Sequence, residues 1–193
     1  MCDNAGMWKV GLALSVLAAC GGDDAGSVSG KVHGTAIGVD DSVSAAITIN
    51  NNQHGAAIVL ASTPNVCPDL MNRVEHPSEK VVIITVADYA NLTLTTPTAP
   101  GTFQIYQGGT APPKAATLQV VMDDLNCQTI SNMGAKATSG TVTLTKVSGN
   151  TFAGSFDALL DSQDHITGSF SPTECPAIQS AIDNTGSAAS CQQ

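Results

Sequence analysis

Tryptophan is nearly missing from this chain. The single copy, Trp8, lies close to the N-terminus, and with two tyrosines and four phenylalanines the aromatic share of the 193 residues is only 4%. Glycan-binding surfaces and glycosidase clefts generally present flat aromatic platforms, and beyond Trp8 this sequence offers only Tyr89 and Tyr106. Cations are scarce as well: seven Lys and Arg face sixteen Asp and Glu, a net charge of −9. Phosphate backbones demand clustered positive charge, so a nucleic-acid partner is excluded. Anionic membrane surfaces would repel such a chain.

Catalytic signatures are absent too. The string nearest to a serine nucleophile elbow, Gly26-Ser27-Val28-Ser29-Gly30, carries valine where the serine would stand. His33, His54, His76 and His165 are scattered without an H-E-x-x-H spacing, and each reads as a surface or turn histidine. There is no C-x-x-C pair to suggest a zinc site. No catalytic residue, metal site or cofactor is therefore expected.

One stretch is informative. Lys9 precedes an apolar run from Val10 to Leu17, which gives way to Ala18-Ala19-Cys20 and then to Gly21-Gly22-Asp23-Asp24. A positive start, a short apolar centre, small residues and an abrupt polar change make a secretory signal. The run falls well short of the roughly 20 residues a membrane-spanning helix requires. Leu17-Ala18-Ala19-Cys20 resembles the bacterial lipobox, in which cleavage leaves the cysteine as the first residue, acylated on sulfur and amine. The resemblance implies a lipoprotein signal peptide over 1–19, with Met1 or Met7 as the start, and a lipid-anchored, palmitate-bearing Cys20. Gly21 after that cysteine resembles the sorting pattern of the outer membrane, whether the domain faces periplasm or cell surface. The partner so implied is a membrane, contacted through the anchor. Residues 20–29 read as a flexible tether and 30–193 as one β-rich domain.

Once Cys2 leaves with the signal and Cys20 is acylated, Cys67, Cys127, Cys175 and Cys191 remain, an even number in an exported protein. Two disulfides are expected. Three pairings are open, and Cys67 with Cys127 and Cys175 with Cys191 is the preferred one, because the second bridge would pin a tail of little apolar content.

From residue 30 onward the pattern is period two. Val43, Ala45, Ile47 and Ile49 alternate with polar neighbours and pair through a turn at 50–55 with a strand over 56–61. Lys31 to Val39 reads as a less regular strand that turns at 39–42. A helical turn is expected at Cys67–Val74. Val81-Val82-Ile83-Ile84 is apolar on both faces and belongs at the centre of a sheet. Ala116, Leu118, Val120 and Met122 share one face. Gly149-Asn150 is a two-residue hairpin turn, followed by Phe152, Gly154, Phe156, Ala158 and Leu160 on one face and by Ile166, Gly168 and Phe170 on the next strand. Pro176 to Asp183 reads as a short helix. Eight or nine short strands joined by Gly, Pro and Asn turns predict an all-β antiparallel sandwich, with a small closed barrel as the alternative.

The repeat Gly154-Ser155-Phe156 and Gly168-Ser169-Phe170 resembles a C-terminal pattern of β-sheet lipoproteins of the bacterial envelope, families without a settled activity. The same repeat is what aromatic-over-glycine packing across two strands produces. Asp40-Asp41, Asp123-Asp124 and the set Asp157, Asp161, Asp164 are the remaining polar clusters. They could gather around calcium, but none has the calcium-loop spacing, and aspartate favours turns because it bonds its own backbone. The functional expectation is a non-catalytic lipid-anchored protein with a binding, structural or surface role. The alternative is a lipocalin-like carrier holding a small apolar ligand inside a barrel.

Overall fold

The computed structural model describes residues 25–50, 53–184 and 189–192. Residues 1–24, which carry the expected signal helix and Cys20, lie outside this range. The chain begins with β1 (Gly26–Val32) and β2 (Thr35–Ala36), then a long hairpin, β3 (Asp41–Asn50) and β4 (Gln53–Ala61). Helix α1 (Val66–Asn72) and the two-residue β5 (Val74–Glu75) precede β6 (Lys80–Ala90), β7 (Thr93–Thr95), β8 (Gly101–Ile105) and β9 (Lys114–Met122). A meander of β10 (Ala135–Ser148), β11 (Thr151–Leu160) and β12 (His165–Phe170) follows. The chain closes with β13 (Thr173–Glu174), α2 (Ala177–Asp183) and β14 (Ser190–Cys191).

All but β5 and β14 join one sheet, in the order β13-β3-β4-β6-β9-β8-β10-β11-β12-β1-β2, with β7 added on β6. The all-β expectation holds, but the strands do not divide into the two facing layers of a sandwich. A single sheet curls over its own concave face as an open half-barrel. The long β10 helps to bend it. It pairs with β9 at Ala135–Lys136, with β8 over 141–144 and with β11 along its length, and its ladder to β11 slips twice, at Ala137/Ser139 and Leu144/Lys146. Such bulges kink a strand and increase its twist.

The concave face is filled. Ile58, Leu60, Val82, Ile84, Phe103, Leu118, Leu144, Phe152, Leu160 and Ile166 are at most 2% exposed and belong to one contiguous cluster. The inward faces expected for β9, β11 and β12 all point into it. Gly149, with φ 60, makes the two-residue turn between β10 and β11. The two Gly-Ser-Phe triplets lie side by side with Gly154 opposite Phe170 and Phe156 opposite Gly168. A Cβ on Gly168 would stand 2.5 Å from the Phe156 ring, so Phe156 occupies the space Gly168 leaves, whereas Gly154 is required by the close approach of the Thr143 backbone on β10.

The open side of the curl is bridged by side chains. Ser44, fully buried on β3, donates to the Asn150 carbonyl (3.2 Å) and accepts from the Phe152 amide (3.2 Å). The buried Ser42 hydroxyl donates to the Ala25 carbonyl, which also accepts from the Ser171 amide (3.1 Å). Two serines thus supply across this seam the polar partners that a continuous ladder would otherwise supply.

A second apolar cluster lies on the convex face. Val43, Ala45 and Ile47 of β3 and Ala57 and Ala61 of β4 are covered by Val66 of α1 and by Ala177 and Ile178 of α2. The alternation read for β3 is therefore right, but its apolar side faces the helices and not the main core. The helices fall close to where they were expected. The disulfide preference is overturned: Cys67 pairs with Cys175 and Cys127 with Cys191. Both helices lie on β3, and Cys175, whose amide bonds the Ser44 carbonyl at 2.8 Å, brings α2 beside α1. Cys191 is carried to Cys127 by the parallel pairing of β14 with β5. The C-terminal tail is pinned as expected, through a different partner.

Two boundaries also move. Gly26–Ser29, expected within the tether, are paired in β1, with Ser27 opposite Ser169. The expected strand over 31–39 instead turns at His33-Gly34 into the short β2, because His33 adopts a left-handed φ of 48.

Candidate functional site

Each acidic cluster is engaged with nearby backbone or side chains. Asp124 accepts the amides of Asn126 (2.7 Å) and Gln128 (3.0 Å), and the bond from Gln128, followed by that from Asn126, holds its pKa below the usual carboxylate value. This turn carries Cys127, at φ 57, toward Cys191. Asp164 accepts the His33 amide (2.8 Å) and the Ser162 hydroxyl, and those two bonds lower its pKa in that order. Asp161 accepts the Lys136 amide, Asp157 meets His165 at 2.8 Å, and Asp41 accepts the amide of Val66 at the start of α1. The three aspartates of the β11–β12 region therefore share no partner. Among the described residues, no three His, Cys, Asp or Glu side chains stand together as a metal site would require. His33 and His54 are exposed, while His76 is half-buried against Asp69 at 2.9 Å.

A largely apolar concave surface lies on the convex side of the sheet. Beside α1 and α2, the outer face of β4, β6 and β9 forms a trough of about 500 Å³. Its floor is Ala57, Val59, Val81, Ile83 and Val121, and its wall includes Leu70, Ile178, Ala181 and Ile182. A neighbouring depression shares Ile47, Thr85 and Ile182 with it and continues along β6 to Ala87, Leu94 and Tyr106. At about 3.3 Å per residue, the path from Val81 to Ala87 is about 20 Å long. This explains the two-faced apolar run in β6: Val82 and Ile84 fill the core, while Val81 and Ile83 line the trough.

One end of the trough is acidic. Asp69, Glu75 and Glu79 line it, and Asp123 stands next to Glu75. Asp69 is engaged by His76, and Glu79 accepts the Thr63 hydroxyl at 2.6 Å. Among the described residues Glu75 has no ion-pair partner, and one carboxylate oxygen of Asp123 is buried without a hydrogen bond. Burial first, then the charges of Asp123 and Glu79, push the Glu75 pKa above its ordinary value of 4.5.

A raised carboxyl pKa means that ionisation costs more in the folded than in the unfolded protein. The stability linked to Glu75 is fully present below its unfolded pKa and is lost as pH rises through the higher folded value. Glu75→Gln is accordingly expected to melt a few degrees above the parent at neutral pH, with the gain vanishing on acidification below pH 4.5. Solvent screening of this partly exposed group keeps the shift modest. Thermal melts of both proteins across that range check it, and a constant difference would show that charge is not the cause.

The acidic end was not visible in the sequence, because Asp123 is brought toward the Glu75–Glu79 segment only by the pairing of β6 with β9. The one available signal was an apolar outward face on a central strand, with no second sheet to cover it. Among family models, curated proteins and solved structures, none matches this chain.

Proposed function

We propose that the chain is a lipid-anchored protein of the bacterial envelope, acylated at Cys20 and sorted to the outer membrane. In this reading the β-domain has a binding, structural or surface role without catalysis. The observation that carries the reading is the signal-like stretch ending in Leu17-Ala18-Ala19-Cys20, only a few residues ahead of the first strand at Gly26. The pairing of Cys67, Cys127, Cys175 and Cys191 supports export, since disulfides persist in oxidising compartments. The five peptide steps from Cys20 to Ala25 reach at most about 18 Å, so an acylated Cys20 would hold the seam beside Ala25 close to the lipid headgroups. The acids that cap separate turns favour a non-catalytic role.

The filled concave face weighs against a ligand held inside a barrel. Phe103 and Phe152 are fully buried there, leaving an interior packed with side chains.

Metabolic labelling with a fatty-acid analogue tests the anchor. The parent is expected to incorporate label and to sediment with membranes, and Cys20→Ala to lose both. Equal membrane retention of the two proteins with no label on either would refute the anchor.

A further inference from the structure

We propose that the trough on the outer face of β4, β6 and β9 binds an aliphatic amphiphile with a cationic amine head, its tail along β6 and its head beside Glu75 and Glu79. This goes beyond the anchored-lipoprotein reading and does not depend on it.

Three observations carry the assignment. The trough and the depression that continues it run about 20 Å along β6 from Val81 to Ala87, a length that suits an extended hydrocarbon chain. Its floor is aliphatic, and Val59, Val81, Ile83 and Val121 remain half-exposed, an apolar surface left in water on one side of a central strand. Asp69, Glu75 and Glu79 line its acidic end, and Asp123, near enough for its charge to raise the Glu75 pKa, adds to the negative potential there. An amine head with one positive charge at this end would offset the mutual repulsion of the carboxylates.

Nearby cations do not supply this. Lys80 shares the inward parity of Val82 and Ile84 on β6, and Lys114 is bound to Asp88 at 2.9 Å. Arg73 lines an adjoining depression that shares Asp69 and Glu75 with the trough, and among the described residues it forms no ion pair with either. A fatty acid would bring its carboxylate against these acids. A second copy of the chain would bring another net charge of −9.

Titration calorimetry of the full exported protein with dodecylamine, dodecanoate and butylamine, all below micellar concentration, tests the proposal. Dodecylamine is expected to bind at least about tenfold more tightly than dodecanoate, a difference of about 1.4 kcal/mol. Butylamine should not bind detectably, because it lacks the tail. Replacing Glu75 and Glu79 together by Gln should bring the two long-chain probes close to parity. Asp157→Asn, which removes a remote acid, should leave the preference intact and so separate a local head site from overall charge.

Ile83→Gln should abolish binding, and Ala181→Trp, which fills the trough from α2 without touching the sheet, should do so independently. Equal affinity for amine and carboxylate, a preference unmoved by the Gln pair, or full binding by Ala181→Trp would each overturn the assignment. So would sedimentation showing a dimer that Ile83→Gln dissolves, since the trough would then be an interface between copies.

Discussion

Replacing Cys67 and Cys175 together by serine is expected to lower stability by about 4–5 kcal/mol, the upper end of the range for a native disulfide. The bridge spans 108 residues, and the longer the loop a crosslink closes, the more freedom it removes from the unfolded chain. The folded state loses as well, because Cys175 is fully buried at the start of α2 and a serine hydroxyl there needs a hydrogen-bond partner. Guanidinium titration of parent and variant measures the effect. A loss below about 1 kcal/mol would mean that packing on β3 alone holds the helices. The companion change at Cys127 and Cys191 closes a shorter span of 64 residues and should act more locally. It releases β14 from β5, so the Ser190 amide, bonded to the Arg73 carbonyl, should exchange faster while the sheet amides do not.

Phe152→Ala should cost about 3–5 kcal/mol, the usual penalty for removing a fully buried aromatic side chain. The cavity would open where the sheet is least able to collapse around it. Phe152 sits at the β10–β11 turn, and its amide is tied to Ser44 across the seam, so its backbone is held from both sides. Leu159→Ala on the same strand removes a side chain that is 38% exposed and should cost less than about 1 kcal/mol. Urea or guanidinium midpoints for the two variants give the comparison directly. Similar losses would show that the concave face is loosely packed.

Local alternation was the most legible part of the fold. Ala116 to Met122, Phe152 to Leu160 and Ile166 to Phe170 each face inward as their period-two pattern requires, since a strand has only two faces and polar residues mark the other. The hairpin at Gly149-Asn150 was equally plain, because few dipeptides fit so tight a turn.

What failed was long-range. A curled sheet and a sandwich bury the same alternating residues, and only the slips in β10 and the serine bridges at the seam distinguish them here. The cysteine pairing depended on both helices lying on β3, which no spacing along the chain encodes. The first half of β1 was missed because Gly26 to Ser29 reads as a linker. Its glycines at φ +143 and +107 are instead required where β1 passes close to the backbone of β12. The trough was half legible: β6 announced two apolar faces, but the carboxylates at its end converge only in three dimensions.

The two-residue strands at the rims of the sheet have a bearing on solubility. β13 lies beyond β3 at one rim and β2 beyond β1 at the other, and neither is long enough to act as a template for a neighbour's strand. On β3, β13 takes Val43 and Ser44 and the Gln179 side chain of α2 bonds the Thr48 amide and carbonyl, so a neighbouring molecule's strand would have to displace both to pair along this border. Border-to-border pairing of two molecules is in this way interrupted at the β3 rim.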